Sequence, residues 1–230
     1  MTKERFVKEF KGSEMLYDKN FKIYYKNDGS DCAEVIKESA EESLNNLVSD
    51  FDYRPKSSIN IIIYPKYGEM EKMMALGTGS PATGAYYCGT VGVMESRNNS
   101  DKKKSLLVHE LTHYVLDYKS NGNMPAWFTE GTALYEEYKV CRNEWAKGKD
   151  YEDYYTIKEL EGNFYGLDEI KAYKQSFLIV KYIGEHYGMN GINRIIQELS
   201  KGKSTSQSIK TATGLNAVEL FDHSLAYGRN

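Results

Sequence analysis

His109-Glu110-Leu111-Thr112-His113 lies near the middle of this 230-residue sequence, inside a run rich in leucine and valine. The spacing of the apolar residues predicts a buried α-helix over residues 105–119. Four residues turn an α-helix by about 400°, so both imidazoles project from one face, about one turn apart. This separation lets two nitrogens lie roughly 2.0–2.1 Å from one zinc ion, and it predicts a zinc site with one ion per chain.

Two glutamates complete the predicted centre. Glu110 follows the first histidine and is placed to hold water beside the metal, which is the general-base position of a metallopeptidase. Catalytic zinc usually has three protein ligands, and Glu130 is the candidate for the third. It lies in a helix predicted over 125–140, which returns after a short turn at 121–123. The alternative for Glu130 is an exposed glutamate, but its apolar neighbours make an unpaired carboxylate costly.

The remaining patterns predict an α+β fold in one domain, residues 1–230. An α/β lobe with a mixed sheet and helices occupies 1–101, a mainly helical lobe that carries the zinc site occupies 102–230, and the active-site helix lies at the junction. Strands are predicted over 21–26, 58–64, 85–88 and 91–95, and helices over 31–49, 67–76, 168–187, 191–200 and 217–226. Connections are predicted at 77–84 and 98–101.

Composition excludes several functional classes. The formal charge of −3 lacks the clustered basic excess of a nucleic-acid-binding surface. No stretch reaches the ~18 apolar residues of a membrane span. Three distant cysteines favour buried free thiols over a metal site or a disulfide framework. The first residues lack a signal-peptide core, which leaves open a cytoplasmic location or an extracytoplasmic one with a leader or anchor removed. We expect a monomer.

Together with Pro125 to Tyr135, which reads PAWFTEGTALY, the histidine motif resembles the gluzincin zinc metallopeptidases. The resemblance is closest to the compact bacterial peptidase MA-like family, with its pattern H-E-x-x-H and then P-x-W-x-x-E-G-x-A-x-Y. It extends from Ser58 onward and implies a zincin-like fold, His109, His113 and Glu130 as zinc ligands, and Glu110 as the base. Thermolysin-type gluzincins have an aspartate four residues after the ligand glutamate, where this chain has Leu134. The residues that support the zinc ligands from outside are therefore unassigned.

These observations predict a zinc peptidase that hydrolyses peptide bonds of a peptide or protein substrate, with a zinc-bound water activated by Glu110. Tyr173, near the start of a predicted helix, is the candidate oxyanion donor, because gluzincins often use a tyrosine or histidine there; the alternative is a packing tyrosine. The strand near residues 84–87 is the candidate edge for a bound substrate, or else an ordinary strand of the sheet. Two alternatives to a general peptidase stay open: a narrow-specificity zinc amidase, and a zinc-binding interaction or regulatory module without turnover.

Overall fold

The computed structural model of the chain describes residues 10, 12–26, 29–74, 76, 82–95 and 100–228. The strands are β1 (Glu14–Tyr17), β2 (Phe21–Tyr25), β3 (Ile59–Tyr64), β4 (Gly84–Tyr87) and β5 (Thr90–Met94). The helices are α1 (Ser30–Phe51), α2 (Tyr67–Met73), α3 (Ser100–Ser120), α4 (Ala126–Cys141), α5 (Ile157–Asn163), α6 (Glu169–Ser200), α7 (Thr205–Thr213) and α8 (Ala217–Gly228), with a 3-10 turn over Phe164–Gly166. The predicted α+β class is confirmed.

Two compact units divide the chain, residues 1–114 and 115–230, and the division falls within α3. The predicted connection at 77–84 lies largely outside the described residues. The loop predicted at 98–101 is wrong at its end, because α3 already begins at Ser100. Among the described residues, no helix is both long enough and apolar enough to cross a membrane.

The first unit contains a five-stranded mixed sheet in the order β1-β2-β3-β5-β4. Its central strand β3 pairs in parallel with β2 and β5, whereas the outer pairs β1–β2 and β4–β5 are antiparallel. All six residues of β3 are buried, as expected for a strand covered on both faces. This arrangement leaves β4 at one edge of the sheet, as the substrate hypothesis requires.

The second unit is helical, and α4 packs closely against α6 within it. Gly131 makes this possible, because a Cβ atom there would overlap the backbone carbonyl group of Ser176. The long helix α6 is interrupted at Gly188, whose φ of 65° is a left-handed conformation that disfavours other residues. The prediction of two helices separated at Gly188 is therefore confirmed.

We expect Gly131→Ala to lower the free energy of unfolding by about 1–3 kcal/mol, the usual cost of overpacking a core. The obstacle is backbone, so a side-chain rotation cannot relieve the overlap. Chemical denaturation followed by circular dichroism measures the change. Gly162→Ala in α5 is the control, because no atom lies within 4 Å of the added methyl group. Equal unfolding midpoints for the two variants would contradict the close approach of α4 and α6.

Candidate metal centre and active site

The motif helix α3 presents its two histidines as the sequence predicts. The rings of His109 and His113 lie 4.7 Å apart between centroids, at an interplanar angle of 76°. Both are partly buried, while Leu111 between them is fully buried on another side of the helix. The i, i+4 spacing therefore produces a pair of adjacent imidazoles on one helix face.

Glu130 joins this pair from α4, where it is only 7% exposed. One ligand atom from each of His109, His113 and Glu130 lies within 4.8 Å of the others. Within the described residues, these three form the one group of at least three His, Cys, Asp or Glu side chains arranged in this way. Two imidazole nitrogens and one carboxylate oxygen are the ligand set of several catalytic zinc sites, so the residues present fit a zinc ion.

Glu110 lies between the motif helix and the edge strand of the sheet. Its side chain is 6% exposed, and its Oε1 would be 3.1 Å from a Cβ atom added at Gly84. The same added atom would be 2.6 Å from Cδ1 of Leu106. A glycine at the start of β4 thus allows the strand to approach the candidate base more closely than any other residue would.

Tyr86 lies two residues further along β4 and faces the same helix. Its ring stacks near His113, with centroids 6.5 Å apart and planes at 30°, and meets Tyr114 edge-on at 6.2 Å. The backbone N–H of Gly89 donates to the Tyr86 hydroxyl at 3.1 Å. This contact ties the Tyr86 side chain to the hairpin turn, so the ring next to His113 is held by the strand's own backbone.

Two tyrosine hydroxyls approach the Glu130 carboxylate. The Tyr165 hydroxyl donates to Oε1 of Glu130 at 3.1 Å. Tyr173, in the first turns of α6, lies close enough to Glu130 to feel its charge, and its ring packs against Phe164 and Trp145 with centroids 5.1 and 5.7 Å away. Burial raises the pKa of Tyr173 far above its usual range, and the Glu130 charge raises it further, so this phenol stays protonated as a donor.

Sequence reasoning missed Tyr165, Gly84 and Tyr86 as parts of this site. Tyr165 is one of 20 tyrosines and lies in a short turn without apolar periodicity, so no local pattern distinguishes it. The strand carrying Gly84 and Tyr86 was recognised as a candidate edge, but their contacts with Glu110 and His113 depend on sheet order. That order follows from pairing between distant segments, which periodicity does not encode.

The other histidines and the cysteines lie elsewhere. His186 and His223 are exposed and contact Tyr182, whose ring lies 4.0 Å from His186 and 6.3 Å from His223 between centroids. All three cysteines are free thiols, as predicted, but only Cys32 is buried, and Cys88 in the β4–β5 turn is exposed.

Comparison with known families connects this geometry to one group of proteins. A family model described as the Peptidase MA superfamily matches residues 39–227, which is most of the chain. The chain belongs to the Peptidase MA superfamily. This membership confirms the resemblance drawn from the sequence, extends it upstream of Ser58, and supports a peptidase. A comparison with curated protein sequences finds no significant match.

A search of solved structures finds the same fold in a larger protein. The chain is similar to a two-domain M1 zinc metallopeptidase, crystallised as a mutant bound to L-arginine, with a TM-score of 0.50 and 13% sequence identity. The match covers 93% of this chain and 51% of the other, so this chain spans about half the length of that protein. At this identity the likeness establishes the fold alone.

We expect one zinc ion per chain, and we expect His113→Ala to lose it, because two remaining ligands cannot hold the ion as three do. Elemental analysis after dialysis measures the metal content. His186→Ala is the matched control, since it removes a histidine outside the ligand group found among the described residues and should keep full zinc occupancy. Full occupancy in His113→Ala would remove this histidine from the ligand set.

Proposed function

We propose that this chain is a zinc-dependent peptidase of the gluzincin type, which hydrolyses peptide bonds in peptide or protein substrates. The observation that carries the proposal is that ligand atoms of His109, His113 and Glu130 lie within 4.8 Å of one another. Glu110, which follows the first histidine in α3, is a buried carboxylate. Superfamily membership supports the same conclusion independently of this geometry.

The three ligand residues would hold the metal through neutral imidazoles and one carboxylate. When bound, zinc supplies Lewis acidity both to the attacking water and to the scissile carbonyl. Imidazole ligands bind a metal through an unprotonated nitrogen, so metal binding displaces any proton from that nitrogen. Glu130 contributes one negative charge to the ligand set, which leaves a net positive charge to polarise the substrate.

Glu110 is the proposed proton carrier. It would accept a proton from the attacking water as the carbon–oxygen bond forms, and deliver that proton to the departing amine as the carbon–nitrogen bond breaks. The Glu110 side chain is 6% exposed, so little bulk water reaches the carboxylate. The narrow space between α3 and Gly84 restricts the directions in which this side chain can turn.

Tyr173 is the proposed hydrogen-bond donor to the oxyanion that forms on the substrate carbonyl. Its phenol lies close to Glu130, one of the three ligand residues, and burial keeps it protonated. A neutral donor can stabilise developing negative charge without giving up its proton. The alternative is a packing tyrosine, because the ring also contacts Phe164 and Trp145.

The edge strand β4 is the proposed substrate platform. Within the described residues it pairs only with β5, so its other edge can pair with an extended peptide by β-augmentation. Gly84 lies close to Glu110, and Tyr86 lies close to His113. A substrate paired with this strand would therefore run alongside the base and one of the ligands.

We expect Glu110→Gln to retain zinc and lose most turnover, because the change removes a proton acceptor and keeps the side-chain volume. The matched variant Glu130→Ala should instead weaken zinc binding. Zinc content and cleavage of a peptide library, each with and without a chelator, separate the two effects. Near-normal turnover by Glu110→Gln would mean that another residue activates the water. If the zinc-loaded wild-type protein cleaved no library peptide, the alternative of a zinc-binding interaction module would be favoured.

We expect Tyr173→Phe to reduce kcat by roughly ten- to a thousandfold with zinc content and folding retained, the usual effect of losing one oxyanion donor. Tyr182→Phe in the same helix is the control for removal of a phenol outside the site and should leave turnover near the wild-type value. An unchanged kcat/KM for Tyr173→Phe would make Tyr173 a packing residue.

A further inference from the structure

Tyr165 combines an exposed ring with a hydroxyl that contacts a buried carboxylate. Its side chain is 72% exposed, more than any other large hydrophobic side chain identified as exposed in the described part of the chain. Its hydroxyl nevertheless donates to Oε1 of Glu130, a carboxylate only 7% exposed. The ring thus lies in solvent while its polar end reaches inward, so the contact does not follow from burial of the ring.

The turn that carries Tyr165 is held by its neighbours. Phe164 is 4% exposed, and its ring meets Tyr165 edge-on at 5.4 Å and Tyr173 at 5.1 Å. The N–H of Leu167 donates to the Phe164 carbonyl at 3.2 Å and closes the turn. At Gly166 a Cβ atom would overlap the Asn163 side chain. Backbone geometry and the contact with the buried Phe164 ring therefore orient Tyr165.

A carboxylate ligand has two oxygens, and a metal held by one of them leaves the other able to accept hydrogen bonds. A donor on that second oxygen restricts rotation of the carboxylate and so orients the first oxygen. Outer partners of this kind commonly change metal affinity by 10–100-fold when they are removed. Tyr165 has the required chemistry, because its phenol adds a donor without adding a charge that would compete with the ligands.

We propose that Tyr165 is a positioning residue whose hydroxyl holds Oε1 of Glu130, so that the carboxylate meets the metal in one orientation. This inference rests on the proposed function, since it takes Glu130 as a zinc ligand. It separates the roles of the two phenols: Tyr165 acts on the ligand, whereas Tyr173 acts on the substrate.

The test is the zinc dissociation constant of Tyr165→Phe, measured by competition with a chelating dye. We expect zinc binding to weaken 10–100-fold, because only the hydroxyl is removed. The melting temperature of the metal-free protein should stay unchanged, because the ring is largely in solvent. Tyr227→Phe is the matched control: Tyr227 is 41% exposed and donates to Glu185 at 2.6 Å, outside the ligand group.

A double-mutant cycle tests whether Tyr165 acts through Glu130. Adding Tyr165→Phe to Glu130→Ala should weaken residual zinc binding no further. In a separate measurement, Tyr165→Phe alone should alter the visible spectrum of the cobalt-substituted protein. An unchanged zinc dissociation constant in Tyr165→Phe overturns the inference, and so does an equal loss of zinc affinity in Tyr227→Phe. In either case, zinc binding by the wild type leaves the proposed function standing. Failure of the wild type to bind zinc overturns both.

Discussion

The burial of two carboxylates, Glu110 and Glu130, is the constraint on which the arrangement of the site depends. Each is less than a tenth exposed, in helices otherwise rich in apolar residues. Removing a carboxylate from water is costly unless hydrogen bonds or opposite charges compensate. Around Glu130 the compensation comes from the Tyr165 phenol and from two imidazoles that can share a cation with it. A metal centre is therefore a physical solution to this burial as well as a source of chemistry.

Two glycines then determine which groups reach these carboxylates. Gly84 lets the edge strand approach Glu110, and Gly131 lets α4 approach α6 at Ser176. The contact between α4 and α6 matters for the site because each partner lies near a site residue. Gly131 follows Glu130 directly, and Ser176 lies three residues after Tyr173. A wider separation of α4 and α6 would move the Tyr173 phenol away from the carboxylate. Close backbone packing, rather than a loop, thus places the proposed donor.

Local patterns in the sequence predict the parts of the site that lie on one helix, and much of the fold. The i, i+4 histidines, the helix break at Gly188 and the strand β3 all follow from spacing or composition over a few residues. The strand β1 and the helix α5 were not predicted, because β1 is short and mostly exposed, and α5 has seven residues of which only Leu160 is buried. Tyr165 was missed because its partner Glu130 is 35 residues away, and a single side-chain contact leaves no periodic signal.

A buried leucine, Leu134, lies four residues after Glu130. Thermolysin-type gluzincins have an aspartate at that position, whereas this chain has a leucine that is 4% exposed. Another buried charge would need its own compensation, and an apolar residue avoids that cost. Phenols can supply hydrogen bonds to Glu130 without carrying a charge themselves. Because burial raises the pKa of Tyr173, this phenol stays protonated and can donate to a substrate oxyanion while Tyr165 donates to Glu130.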